Sequence, residues 1–167
     1  QARLDLCNPK VQDFVVGVVD RLMTDCPELA YIKWDDNAIT ANYGSTYLGS
    51  DRQSQIYTGY HLALRKVLER IRAKYPDLVI QDCASGGGRV NYGLLPYFDE
   101  FWTSDNTDAL QRVYIQWGTS QFFPANAMAA HVSAAPNHQT QRTIPPQFRF
   151  DVAEAGRLGI ETRPSPS

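Results

Sequence analysis

The sequence predicts an α/β fold, a parallel sheet built from a repeating strand–helix unit, and three observations predict it. Short apolar runs of strand length alternate along the chain with longer stretches of helical period. The runs break off abruptly into ionisable or small polar residues: Lys33-Trp34-Asp35-Asp36-Asn37, then Cys83 through Arg89, then Ser104 through Asp108. Right-handed crossovers between parallel strands put those endings on one edge of the sheet, where such sheets carry their clefts.

The elements follow in order. Asn8-Pro9 reads as a cap and first turn, and Val11, Phe14, Val15, Val18 and Leu22 recur at helical spacing up to Cys26-Pro27. A strand is expected over residues 30–34, and a polar, irregular loop over 36–54. The second helix spans 57–74, with Tyr57, His61, Leu64, Leu68, Ile71 and Tyr75 inward and Arg65, Lys66, Glu69 and Arg70 outward. On that stripe His61 reads as a packed residue. A strand over 78–83 runs into Ala84-Ser85-Gly86-Gly87-Gly88-Arg89, where glycines let backbone approach a ligand. No Gly-Lys-Ser/Thr follows, so this is not a phosphate loop. After a turn near 93–97 comes a strand over 100–103. Leu110, Val113, Tyr114 and Trp117 then mark a third helix. Strands are expected over 122–128 and 148–152, separated by a small-residue loop over 131–140.

Composition bounds the function. The 167 residues suit one domain, and 43% hydrophobic with 20% charged residues is ordinary for a globular protein. A net charge of −2 argues against a nucleic-acid or anionic-membrane surface. No apolar run approaches the roughly 20 residues of a membrane span. The chain starts at Gln1 with no basic-then-apolar leader, as expected of a processed chain or a piece of a longer one. Cys7, Cys26 and Cys83 are scattered, which suits neither a disulfide framework nor a zinc site and makes a reduced compartment the simpler reading; a periplasmic or secreted protein stays open. No metal or cofactor is implied. Nine Tyr, seven Phe and three Trp beside acidic groups suit a sugar-binding cleft, where rings stack on apolar sugar faces.

Acids on separate strand ends suit glycoside cleavage, which needs two carboxyl groups flanking one bond. Lys33 precedes Asp35 by two residues, so both share a strand face and the ammonium favours the carboxylate. Asp36 falls on the opposite face if the strand persists. On the third strand end, Asp105 and Asp108 compete, and Asp108 could cap the helix that follows. The residues alone leave both choices open.

Lys-Trp-Asp-x-Asn at 33–37, Cys-x-x-Gly-x-x-Arg at 83–89 and Ser-Asp-x-x-Asp-x-x-x-Arg at 104–112 together resemble the family 36 glycoside hydrolases, retaining α-galactosidases with a (β/α)8 catalytic domain. The run from His131 to His138 also looks like that family's stretch after its seventh strand. The resemblance covers roughly residues 3 to 160. It implies a partial (β/α)8 TIM barrel, about strands 4 to 8, over residues 1–162, with a loose tail over 163–167. It implies Asp35 as nucleophile and Asp105 as acid/base, kept protonated by burial beside Trp102 and the neighbouring Asp35. Lys33, Trp34, Asn37, Cys83, Gly86 and Trp102 would bind substrate. Arg89, Asp108 and Arg112 would support them from behind. The substrates implied are α-galactoside oligosaccharides of the raffinose or galactomannan type. α-N-acetylgalactosaminidase, galactosyl transfer and a non-catalytic sugar-binding module are the alternatives.

The chain also departs from that family. Ala38 stands where the family has Arg, and Glu154-Ala155 where it has Met-Ser. The family's earlier strands, which hold further galactose contacts, have no counterpart here. An open barrel section has unpaired edges, so the working protein is expected to be longer or to assemble with another copy. The isolated chain is expected to have little activity.

Overall fold

The computed structural model describes residues 4–37 and 43–162. Part of the loop expected over 36–54, and the tail expected from Arg163, lie outside the described residues. The chain divides into two compact units, Gln1–Ile32 with Asn37–Val79, and Lys33–Asp36 with Ile80–Ser167.

In the first unit, helix α1 spans Pro9–Asp25. Asn8 caps it by accepting the Lys10 N–H at 3.0 Å, and Pro9 fills the first turn, where its missing N–H costs nothing. Val16 and Val19 are buried, whereas Phe14, Val18 and Leu22 are exposed. The expected apolar stripe therefore faces out. Periodicity groups residues onto a face but does not say which face turns inward. Helix α2, Ile56–Lys74, buries Ile56, Ala63, Leu64, Val67, Leu68 and Ile71. Leu64, Leu68 and Ile71 match the expected stripe. Tyr57 and His61 do not, since both are exposed and Ile56 and Ala63 take the inward places. Asp13–Arg70 at 2.9 Å and Asp20–Lys74 at 2.6 Å link α1 to α2, but exposed pairs contribute only about 0–1 kcal/mol each. The loop before α2 is ordered by Ser45, whose hydroxyl donates to Asp5 and accepts the Tyr47 and Leu48 N–H groups.

The second unit carries the sheet. Its strands are β1 (Tyr31–Asp35, of which Lys33–Asp35 belong here), β2 (Val79–Cys83), β3 (Glu100–Trp102), β4 (Met128–Ser133) and β5 (Arg157–Glu161), in spatial order β1-β2-β3-β4-β5. Pairing is parallel from β2 through β5, and β4–β5 is in register along all of β5, from Ala129↔Arg157 to Ser133↔Glu161. Helix α3 (Ala109–Ser120) and helix α4 (Pro146–Ala153) complete the repeat. This is the strand–helix order of a partial (β/α)8 barrel.

Two expected strands are corrected. Of the strand expected over 122–128, residues 122–127 form turns and a 3-10 helix, Ala125–Ala127, behind Pro124; the strand begins only at Met128 and takes the first residues of the expected loop. Residues 148–152 lie in α4. Pro146 occupies its first turn, a start signal that outweighs the alternation of Phe148, Phe150 and Val152. The strand β5, not expected, follows it. Helix α3 is also turned the other way. Ala109, Arg112 and Gln116 are buried, and Leu110, Val113, Tyr114 and Trp117 are exposed.

Strand alternation puts Lys33 and Asp35, Gln81 and Cys83, Glu100 and Trp102, His131 and Ser133, and Arg157 and Glu161 on one face of the sheet. The contacts agree. At the amino-terminal level Gln81 donates to Glu100 at 2.7 Å, and Glu100 pairs with Arg157 at 2.9 Å. In the middle, Cys83, Trp102 and Ala129 pack into one apolar cluster. Above it stand the groups that the sequence pointed to.

Candidate active site

Three strand ends supply the site. At the end of β1, Lys33 holds its ammonium 5.0 Å from the Trp102 ring centroid. Asp35, two residues on, is exposed and hydrogen-bonds the Cys83 thiol. Burial pushes that thiol up to about 11; the Gly86 backbone bond opposes the rise, and the Asp35 carboxylate adds to it. Asp36 turns the other way. Its N–H donates to Cys83 O at 3.0 Å and its carboxylate lies 3.9 Å from Arg89. Trp34 alternates away from the Lys33 face, and its carbonyl accepts from Arg89 at 2.9 Å. Asn37 is exposed just beyond the strand.

At the end of β2, Arg89 is the organiser. It donates to Asp82 at 2.7 Å, to Trp34 O at 2.9 Å and to Cys83 O at 3.1 Å. Gly86 has φ +83°, and a Cβ there would lie 2.8 Å from Ser104 Cα and 3.2 Å from Asp105 N. Only glycine lets the β2 loop lie against the backbone that carries Asp105.

At the end of β3, Trp102 is buried and donates its indole N–H to Asp105 Oδ1 at 3.1 Å. Asp105 itself is exposed, which corrects the expectation that it is buried beside Trp102. The tryptophan holds the carboxylate by one hydrogen bond rather than enclosing it. Arg112, 2% exposed, lies 4.3 Å from the Trp102 ring centroid. It donates to Thr103 Oγ1, to Ser104 O at 2.6 Å and to Asn106 O at 2.6 Å, so it binds both sides of Asp105. Burial brings this guanidinium down to about 10, against the pull of Asp105 and Glu161. Asp108 is fully buried and caps α3 through the Gln111 N–H at 3.0 Å. Burial alone would raise its carboxyl. The Thr140 hydroxyl at 2.6 Å, the Gln111 N–H and Arg142 at 2.6 Å outweigh that and hold it below the usual range.

A cleft of about 820 Å³ opens over this face, lined among others by Lys33, Trp102, Asp105, Ser133, His138 and Glu161. Lys33, Trp102 and Asp105 were legible in the sequence. Ser133, His138 and Glu161 were not assigned to it. Glu161 ends β5 in charge as Asp35 ends β1, a signal that the misplaced last strand concealed.

A parallel strand–helix segment of a (β/α)8 barrel that presents carboxylates, a lysine and a tryptophan at its carboxyl edge is the class that fold and cleft define. Within that class the chain belongs to the Melibiase family, whose sequence model matches residues 1–165. It is 42% identical over 166 residues to alpha-galactosidase C of Emericella nidulans, covering 99% of this chain and 21% of that protein. It is 39% identical over 161 residues to alpha-galactosidase AgaA of Geobacillus stearothermophilus, covering 96% and 22%. The crystal structure of AgaA, a GH36 enzyme, superimposes with a TM-score of 0.88 over 95% of this chain and 22% of that one. An alpha-galactosidase from Lactobacillus brevis gives 0.89 at 38% identity, over 95% and 21%. The chain thus spans about a fifth of these relatives. Structures of substituted AgaA have been solved in complex with stachyose and with raffinose.

Proposed function

We propose that this chain is the catalytic segment of a retaining α-galactosidase acting on terminal α-D-galactosyl residues of oligosaccharides. The observation that carries the reading is the pair Asp35 and Asp105. The AgaA complexes with stachyose and raffinose were each obtained with an aspartate replaced, and those two aspartates are separated in AgaA by as many residues as separate Asp35 from Asp105 here. Asp35 attacks the anomeric carbon as the glycosidic C–O bond breaks, and Asp105 gives its proton to the departing oxygen. Water then attacks the galactosyl ester, its proton passes to Asp105, and Asp35 leaves as carboxylate. Lys33 shares the strand face of Asp35, which favours the anion that attacks. Cys83, Gly86 and Trp102 wall the subsite, while Trp34, on the opposite strand face, lies behind it. Arg89, Asp108 and Arg112 fix the backbone beneath.

The test uses the whole protein that carries this segment. Asp35→Gly should lose activity on an aryl α-galactoside by about a thousandfold or more and, with added azide, form β-galactosyl azide, since azide enters the space of the missing carboxylate and displaces the aryloxide from the opposite face in a single inverting step; that product identifies Asp35 as the nucleophile. Asp35→Asn with wild-type turnover would overturn the assignment. Exposed apolar residues on β5, Leu158 and Ile160, support the further reading that other strands or a second copy cover this end of the sheet. Turnover of an aryl α-galactoside by the isolated chain, at the rate of a full-length relative, would refute that.

A further inference from the structure

The residue that the reading above leaves unused is Glu161, at the end of β5. Both of its carboxylate oxygens are engaged. Oε2 lies 3.2 Å from His131 Nδ1, and Oε1 lies 3.9 Å from Lys33 Nζ. Each of those partners bears on one ring: the His131 imidazole sits 4.7 Å from the Trp102 ring, and the Lys33 ammonium sits 5.0 Å from it. Trp102 in turn donates its indole N–H to Asp105. The seat for His131 is equally specific. A Cβ at Gly159 would lie 2.5 Å from His131 Cδ2 and 2.6 Å from Nε2, so only glycine on β5 leaves the ring its place. β4 and β5 are in register there, His131 opposite Gly159 and Ser133 opposite Glu161, so the strand pairing sets the Glu161–His131 distance.

We propose that Glu161 is a positioning residue for Asp105. It holds His131 and Lys33 against Trp102, and Trp102 fixes the carboxyl that protonates the departing oxygen. The proposal rests on the assignment of Asp105 as the acid. A group that acts only through proton delivery matters most when the leaving group is poor. A dinitrophenolate departs without help, whereas the sugar alkoxide of raffinose does not.

The experiment measures kcat/KM of the whole protein on raffinose and on 2,4-dinitrophenyl α-galactoside, a quantity set by steps up to glycosidic cleavage. Glu161→Ala should lower it on raffinose by about ten- to a hundredfold, the range expected for a displacement near 1 Å, and on the aryl substrate by less than about threefold. Gly159→Ala, which pushes the His131 ring away and leaves every charge in place, should reproduce the same split. Glu161→Gln keeps an acceptor for His131 and loses the charge facing Lys33, so its split should be smaller. Equal losses on the two substrates, or none, would overturn the proposal. If Asp35→Asn is inactive while Glu161→Ala shows no split, only the role of Glu161 fails. If Asp35→Asn is active, the α-galactosidase reading fails first.

Discussion

Arg112→Lys is the substitution that most directly tests how Asp105 is held. The guanidinium is 2% exposed and gives three hydrogen bonds to the loop around that residue, at Thr103 Oγ1, Ser104 O and Asn106 O. A lysine ammonium on a flexible stem reaches about one of these acceptors and cannot stack as a plane on Trp102. Each acceptor left without its charged donor costs about 1–3 kcal/mol. Losing two of them, with part of the ring contact, comes to about 3–5 kcal/mol against the ordered loop. Burial lowers the Arg112 pKa to about 10, against the pull of Asp105 and Glu161. Hydrogen exchange of the whole protein reads the effect where it arises. The Asn106 N–H, bonded to Ser104 Oγ at 3.1 Å, and the Asp108 N–H, bonded to Asn106 Oδ1 at 3.1 Å, should exchange more than about a hundredfold faster. The kcat on raffinose should fall by about ten- to a hundredfold as Asp105 moves. Unchanged protection at both amides, with kcat within twofold of wild type, would refute the reasoning.

Gly86→Ala should lower kcat by about a hundredfold in a protein that still folds, because a Cβ 2.8 Å from Ser104 Cα forces the β3 loop aside; wild-type kinetics would contradict that. Cys83, with its thiol pushed up to about 11 by burial, should stay unmodified by iodoacetamide at pH 8 while exposed Cys26 reacts, and peptide mass spectrometry that finds both labelled alike would refute this. Asp108 has a folded pKa below its ordinary value of 3.8, so its stabilisation is full above that value and is lost as pH falls through the lower folded one. Asp108→Asn should therefore flatten the acid limb of stability against pH, and an acid limb as steep as wild type would refute the linkage.

What the sequence revealed was mainly where strands end. Tyr31–Asp35, Val79–Cys83 and Glu100–Trp102 were each legible because an apolar run stops at charge or glycine, and such a boundary is local. Helix faces were less legible. In α3 the apolar residues Leu110, Val113, Tyr114 and Trp117 are exposed, while Arg112 and Gln116 are buried. Gln116 turns inward because its amide donates to Val152 O at 2.8 Å, and Arg112 because three acceptors await it. Those acceptors, all backbone carbonyls except the Thr103 hydroxyl, lie outside the helix, and no periodicity records them. The strand β4 was missed in part because the expected strand stopped at Met128 and a loop was expected from His131, though Ala129 and Ala130 between them are fully buried. Small side chains suit a strand covered on both sides.

The same physics explains why the two acids are exposed while their supports are not. On the proposed reading Asp35 and Asp105 have to meet solvent and substrate, so packing cannot fix them. Their backbones are fixed instead. Arg89 gathers the carbonyls of Trp34 and Cys83 at the ends of β1 and β2, and Arg112 gathers those of Ser104 and Asn106 beyond β3. Carbonyls beyond a strand end run out of ladder partners, and a buried carbonyl without a donor is costly, although Cys83 O also accepts the Asp36 N–H. A guanidinium, with five donors in a rigid plane, meets several at once. Each arginine thus removes a cost that the strand ending creates and in the same act locks the main chain beside a carboxylate. On that reading Arg89 and Arg112 belong to the site although neither is among the residues lining the cleft.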